Sequence, residues 1–350
     1  MRRDFEQKQK GVALLAVLWL AVALSMMALA TSYLVRTETE AVRNQIESQQ
    51  GYYLARGGIE AAVYSMTRPP VPQTPAGGEI RQEAEFVPGQ RWLQYEFAGG
   101  QCIVEVVPEN AKLNVNQAEA DQLAALFSTM GLAAVPSTEL AAAIVDWRSP
   151  RASAVGNLFD AFYANLPQPY LARHAPLEQL EELLPVRGMT PDLFFGGVEQ
   201  TPQGPWRRRP PLPDLLTTEK TTGGVNPNYA SYEVLRALPG WDDALAAAVI
   251  AARATAPLES MEKLQAAVPA ISFSASLSPL TFAGGSVYTL TATGFLPDSP
   301  VRRSVRALVR IAPTLPLSHQ VLAWWDDWPF ANEPPQAQPA ESEKRGRIRS

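Results

Sequence analysis

The residues able to do acid–base or nucleophilic chemistry are few. The chain has two histidines, His174 and His319, and one cysteine, Cys102. Neither histidine has a neighbouring Ser or Cys in a recognisable motif. A histidine-based zinc site or general base therefore has few candidates. No P-loop, dinucleotide fingerprint or zinc signature occurs. The pattern points away from an enzyme. His319 falls in a strand-like run, where a structural role is expected. A lone cysteine excludes an internal disulfide. It says little about compartment, because exported bacterial proteins often lack disulfides.

Phosphate recognition is the second chemistry to weigh. Lys112-Leu113-Asn114-Val115-Asn116-Gln117-Ala118 is echoed by Gly224-Val225-Asn226-Pro227-Asn228-Tyr229-Ala230. Each run precedes a helix, a Gly-containing turn and a second helix ending in Trp147-Arg148 or Ala252-Arg253. The asparagines suit helix caps or Asx turns. Such units resemble helix-hairpin-helix modules, some of which bind DNA phosphates through backbone amides. Here Trp241-Asp242-Asp243 follows the second turn, and two carboxylates repel phosphate. The net charge of −5 argues weakly in the same direction. Arg207-Arg208-Arg209 lies in a Pro-rich stretch and reads as a solvated linker. Nucleic acid is not an expected partner.

The elements that must position these residues begin with the N-terminal segment. At 350 residues, the chain has room for two domains or one with a large insertion. From Val12 to Val35 it is Leu-, Ala- and Val-rich, and no charge follows Lys10 until Arg36. As a helix this run extends about 36 Å, enough for a hydrocarbon core of about 30 Å. Arg2, Arg3, Lys8 and Lys10 precede it, so the N-terminus stays cytoplasmic and the bulk is exported. Three readings fit. A cleaved signal would use Ala28-Leu29-Ala30. An uncut anchor would simply remain. The junction Lys10-Gly11-Val12 resembles the processing site of type IV prepilins and type II secretion pseudopilins, cut after the glycine with the apolar helix retained. No proline appears until Pro69, and Val35, Val42, Ile46, Tyr53, Ile59, Val63 and Met66 predict one stripe on a continuing amphipathic helix. Gly51, Gly57 and Gly58 weaken it locally.

A breaker, Arg68-Pro69-Pro70-Val71-Pro72 with Pro75 and Gly77-Gly78, ends that helix. Strand patterns follow over Arg91–Phe97 and Gln101–Val107, joined by a turn at Ala98-Gly99-Gly100. Helical periods then run over Ala118–Met130, Thr138–Trp147, Leu177–Leu184, Ser231–Leu238 and Asp243–Arg253. Strands return at Ser286–Thr293, Val301–Ile311 and His319–Trp325. The early and late strands are each too few to be stable alone. An α+β fold follows: a long N-terminal helix packed on one antiparallel sheet, with a large all-α insertion between strands. The divisions expected are residues 1–11 as leader, 12–35 as the transmembrane half of a spine helix and 36–66 as its periplasmic half. Residues 79–109 and 272–328 form the sheet, 110–271 the helical insert, and 331–350 a disordered tail rich in Pro, Gln, Glu and Arg. Trp324-Trp325-Asp326-Asp327-Trp328 suits a contact patch or a core edge equally.

In order and spacing these pieces resemble the largest minor pseudopilin of type II secretion, the K subunit, over roughly residues 8 to 328. The residues carrying the resemblance are the Gly11 junction, Leu54-Ala55-Arg56-Gly57-Gly58-Ile59-Glu60-Ala61-Ala62, Lys112–Asn116, Asp146-Trp147-Arg148, Val186-Arg187-Gly188-Met189-Thr190-Pro191, Gly223–Asn228 and Val321–Trp325.

The resemblance implies a pilin-like fold and a structural role. The chain would be cut between Gly11 and Val12 and N-methylated on Val12 by the prepilin peptidase. It would join the I and J minor pseudopilins at the pseudopilus tip, start assembly on the inner-membrane platform, and meet other pseudopilins through the Leu14–Val35 face. It would cross the inner membrane once, with a periplasmic C-terminal domain. Most pilins carry Glu as the fifth residue after the cut, neutralising a neighbour's terminal amine; here that residue is Ala16. A buried amine without a counter-charge is costly, so Ala16 fits the first position in a filament, or is merely one more membrane residue. Calcium is the one cofactor the resemblance implies, held by carboxylates after Asp-Trp-Arg. Asp146 matches, but Ser149-Pro150-Arg151 follows where acid is expected, leaving Asp160, Glu178, Glu181 and Glu182. The alternative is a helix-packing Trp147 beside a solvated or salt-bridged Asp146. A membrane-anchored, competence-like DNA-handling protein is the second functional reading.

Overall fold

The computed structural model describes residues 3–68, 86–151, 158–200, 206–221, 224–271, 279–297, 299–312 and 318–328. The Pro-rich breaker after Arg68 and the tail 331–350 lie outside these residues.

Helix α1 (Arg3–Thr67) is a single element of 65 residues. Uninterrupted by proline, it continues through the polar middle of the sequence. From Ala13 onward it is apolar enough to cross a membrane, and its side chains are exposed as far as Ile46. Its second half packs through Gly51, Ala55, Gly58, Ile59, Ala62 and Val63, spaced at three and four. The predicted stripe is only partly the packed face. Ile59 and Val63 are buried, but Val42, Ile46 and Tyr53 remain 55%, 53% and 65% exposed. Small residues, not the large apolar ones, define the seam, because helix and sheet approach closely there. A Cβ on Gly58 would lie 2.2 Å from Cys102 Sγ, and one on Gly294 would lie 2.2 Å from the Gly51 carbonyl oxygen. The glycines that weaken the helix locally are what let it dock.

The sheet begins with β1 (Trp92–Phe97) and β2 (Gly100–Pro108), a hairpin. The chain then leaves for the insert. It opens with β3 (Leu113–Asn114), α2 (Ala120–Thr129), α3 (Ala134–Arg148) and α4 (Leu158–Ala164). A 3-10 turn at Leu180–Leu183 precedes α5 (Pro191–Phe194) and the hairpin β4 (Gly197–Gln200) and β5 (Trp206–Arg209). Next come α6 (Leu212–Leu215), β6 (Leu216–Thr217), α7 (Tyr232–Arg236), α8 (Asp243–Thr255) and α9 (Met261–Ala267). The sheet resumes with β7 (Val287–Phe295), β8 (Arg302–Ile311) and β9 (His319–Trp325), giving the antiparallel order β1-β2-β7-β8-β9. This is the α+β arrangement expected, with β2 and β7 adjacent across the insert.

The insert is not purely helical. Leu177–Leu184 holds one 3-10 turn rather than a helix, since Pro185 stops it. Arg207–Arg209 belongs to β5 and not to a linker; Arg209 Nε donates to the Met130 carbonyl at 2.8 Å.

Two cores result. Cys102, Val104, Val106, Leu290, Ala292, Val305, Ala307 and Val309 meet α1 on one face of the sheet. Glu105, Thr289, Thr291 and Arg306 alternate with them and face the insert. Strand β7 is therefore buried almost along its length, covered on both faces. The insert closes over its own apolar cluster, which includes Leu123, Phe127, Ile144, Trp147 and Val234.

Candidate functional site

Gly11 and Val12 lie within α1, and Ala16 stands exposed on it. Along the outer half, Val42, Ile46, Tyr53 and Tyr64 project away from the sheet. The helix thus offers an apolar rod at one end and an uncovered apolar flank beside the sheet.

The insert is built from two copies of one unit, and side-chain-to-backbone clamps define it. Asn114 Oδ1 accepts from Asn116 N–H at 2.8 Å, and Asn226 Oδ1 accepts from Asn228 N–H at 3.0 Å. The Asn116 amide bonds both backbone groups of Leu177, at 2.9 and 2.8 Å. The Asn228 amide does the same to Leu258, at 2.7 and 2.8 Å. Arg148 donates to the carbonyls of Val115 and Ala118, and Arg253 to those of Pro227 and Ala230. Leu113 pairs in parallel with Leu216, as Val225 does with Leu280. Burial pushes both guanidinium pKa values down, that of Arg253 to about 10. The two-run echo of the sequence is therefore only the first half of the repeat. A further signal, Ala175-Pro176-Leu177-Glu178 against Ala256-Pro257-Leu258-Glu259, stands in the sequence unused.

The hairpin carboxylates are engaged locally. Asp242 caps α8, accepting from Leu245 N–H at 2.7 Å, and Asp243 accepts from Arg236 Nε at 2.6 Å and Tyr232 Oη at 2.9 Å. The helix N-terminus that would meet a phosphate already holds an anion.

The candidate calcium ligands do not form one cluster: Asp146 and Asp160 both lie near His174, whereas Glu178 and Glu182 pair with Arg173. Asp146 is on α3 and Asp160 on α4. Asp160 Oδ1 accepts from His174 Nε2 at 2.9 Å and lies 3.4 Å from Arg151 Nη2. Arg173 binds Glu178 at 2.6 Å and also Glu182. Glu181 is exposed on the 3-10 turn. Calcium takes six to eight oxygens, several of them carboxylate. Among the described residues, no three His, Cys, Asp or Glu side chains are placed to hold a metal. Among the described residues alone, the donor set does not fit the ion.

His174 was absent from the sequence-derived site. Its Nδ1 faces the Ser149 carbonyl at 3.2 Å while Nε2 meets Asp160. A carbonyl and a carboxylate only accept, so the imidazolium form satisfies both contacts. The Asp160 hydrogen bond, foremost, raises the His174 pKa against the lowering by burial. His174 also adopts φ 50°, a left-handed conformation that non-glycine residues enter rarely.

Between insert and sheet lies a polar seam. Lys112 Nζ, 4% exposed, bonds Glu109 Oε1 at 2.6 Å and Thr289 Oγ1 at 2.8 Å. Desolvation lowers the Lys112 pKa, partly offset by Glu109. Arg306 Nη1 binds Asp214 at 2.6 Å, and its guanidinium stacks 4.2 Å from the Trp328 ring. A cavity of about 550 Å³ opens beside them, lined in part by Phe194, Phe195, Trp324 and Trp325. The tryptophan run is mixed: Trp328 is buried, Trp324 and Trp325 half-buried. Cys102 is buried under α1, its thiol pushed up to about 12, which leaves it chemically quiet.

Residues 103–195, from β2 to the end of α5, match the family described as type II secretion system (T2SS), protein K. The chain is also similar to one chain of a solved structure, the crystal structure of the GspK-GspI-GspJ complex from the enterotoxigenic Escherichia coli type 2 secretion system. Identity is 18%, coverage 83% of this chain and 98% of that one, and the TM-score 0.48. No curated protein matches the chain. The family match covers the first repeat with its Lys112–Asn116, Asp146-Trp147-Arg148 and Val186–Pro191 motifs.

Proposed function

We propose that this chain is a minor pseudopilin placed at the tip of the type II secretion pseudopilus, joined there by I and J minor pseudopilins and starting assembly. The observation that carries the reading is α1: one continuous helix, exposed and apolar from Ala13 to Val35 and docked on a sheet over its second half. A rod of that kind is stable when its first half lies in lipid or against other such rods. The assembly named for the structurally similar chain supports I and J as partners. Cleavage between Gly11 and Val12 with N-methylation of Val12 leaves Ala16 at the fifth position. A subunit without a carboxylate there suits the one place with no earlier amine to neutralise. The rod would span the inner membrane once with its leader cytoplasmic and the sheet and insert periplasmic. The chain serves assembly rather than catalysis.

A DNA-handling role gains nothing from the hairpin, where Asp242 occupies the helix N-terminus. Co-expression with the prepilin peptidase, followed by N-terminal sequencing and co-purification with I and J subunits, tests the proposal. A mature chain beginning at methylated Val12 and retained with both partners is expected. One beginning at Thr31, or one purifying alone, overturns it.

A further inference from the structure

We infer that the C-terminal segment of this chain, residues 329–350, folds back and docks in the cavity of about 550 Å³ between the insert and the sheet. Two layers of the fold supply its aromatic walls. Phe194 and Phe195, at the end of α5, stand on the insert side, and Trp324 and Trp325 of β9 on the sheet side. Phe195 is exposed and both tryptophans are half-buried, so ring surface is open to a ligand. Aromatic-lined grooves of this kind receive extended, proline-bearing segments, whose stiff backbone has little entropy to lose. Acids mark the rim. Glu181 is exposed, and Glu219 and Asp327 are held by long ion pairs, 3.4 Å to Arg310 and 3.5 Å to Arg303. The cavity cations Lys112 and Arg306 are closely paired already, at 2.6 Å, with Glu109 and Asp214. The chemistry that fits is an extended segment with prolines and positive charge.

Residues 329–350 carry that chemistry. Pro329, Pro334, Pro335 and Pro339 stiffen the first part, and Lys344, Arg345, Arg347 and Arg349 follow with no acid among them. Such a sequence is too poor in apolar residues to build a core of its own, but it can add itself to a groove others have built. Position favours this segment over one from another molecule. The chain reaches residue 329 from Trp328, which is buried, stacked against Arg306, and itself part of the cavity wall. At about 3.3 Å per residue, the wall from Trp328 back to Leu322 is roughly 20 Å long. Residues 334–339 as a polyproline helix cover roughly 18 Å. That leaves 329–333 to reverse the chain, with Asn332 suited to the turn. The basic run then arrives at the end where Glu219 meets Arg310. A tether this short holds the segment at an effective concentration on the order of millimolar. The inference concerns this cavity alone and does not depend on placement at the pseudopilus tip.

The full chain in detergent micelles tests it. A tail variant combines P334S, P335S and P339S with K344Q, R345Q, R347Q and R349Q, and alters nothing in the sheet or the insert. A fluorescently labelled peptide of residues 329–350 is titrated against the parent and the tail variant, with binding read by anisotropy. The tail variant should bind the peptide. The parent should bind it at least about tenfold more weakly, because its own tail already fills the cavity. Adding E181K, at an exposed rim position, to the tail variant should weaken binding at least about threefold. Equal binding by parent and tail variant overturns the inference and gives the cavity to a segment of another molecule. Binding by neither chain, or binding indifferent to E181K, overturns it as well.

Discussion

The two repeats of the insert make the same clamps with different amounts of chain. In the second, Arg253 is followed almost at once by Ala256-Pro257-Leu258, and Asn228 receives Leu258 directly. In the first, the chain departs after Arg148, builds α4, and only then returns to give Leu177 to Asn116. The endpoints are equivalent; the path between them is not. Loop-closure cost grows slowly with length, so a long excursion is tolerated provided it finds its own contacts. It finds two sets. Trp147, Tyr163 and Tyr170 form an aromatic cluster with centroid separations of 5.3 to 6.3 Å. The Arg151, Arg173 and His174 pairs hold the outside. The short repeat teaches what the unit requires, and the long one shows what can be added.

The sharpest way to break that equivalence is at the arginines. Each terminates a second helix and donates to two carbonyls at the start of its own unit. Arg253→Met and Arg148→Met each strand two partly buried acceptors. A loss of about 2–4 kcal/mol is expected from either, read as a shift in urea midpoint at unchanged slope. If the units are equivalent, the two losses agree within about 0.5 kcal/mol; a silent Arg148→Met would show that the first unit rests on its excursion instead.

A smaller effect comes from the asparagines. Asn116→Ala and Asn228→Ala each remove an amide that bonds both backbone groups of one leucine. About 1–2 kcal/mol is expected, measurable by the same titration. Asn116→Ala should also speed proteolysis within the excursion, while Asn228→Ala exposes no comparable segment.

The smallest effect is on pH. His174 has no counterpart in the second unit, where Thr255 precedes the Ala-Pro-Leu run. Its pKa is raised by Asp160. The extra stability is therefore fully present below the unfolded value of about 6.5 and is lost as pH rises through the higher folded value. Melting temperature should fall by a degree or so across that window in the parent, and H174N should flatten the step. A parent with no step there removes the imidazolium from the account.

Much of the architecture was readable because its signals are local. The five sheet strands have alternating or continuous apolar runs bounded by turn residues. The absence of proline before Pro69 predicts the length of α1. The Asn-led echo announces the duplication, since asparagine is one of few side chains that can mimic a backbone turn. The third part of the repeat was equally local, in the two Ala-Pro-Leu-Glu runs, but short motifs gain meaning only when the asparagines are seen to grip them.

The residues determined by themselves that a charge-free apolar rod continues into a helix, that a sheet interrupted by a long insert follows, and that catalytic groups are scarce. Periodicity and composition act along the chain and need no partner to be read. Which face of α1 docks was decided by tertiary structure, because closeness of approach rewards Gly51 and Gly58 over larger apolar residues that the period favours equally. The fate of the acidic residues was decided there too. A carboxylate binds whichever cation the fold brings nearest, and for Asp160 that is His174, fourteen positions away and reachable only once the excursion has closed.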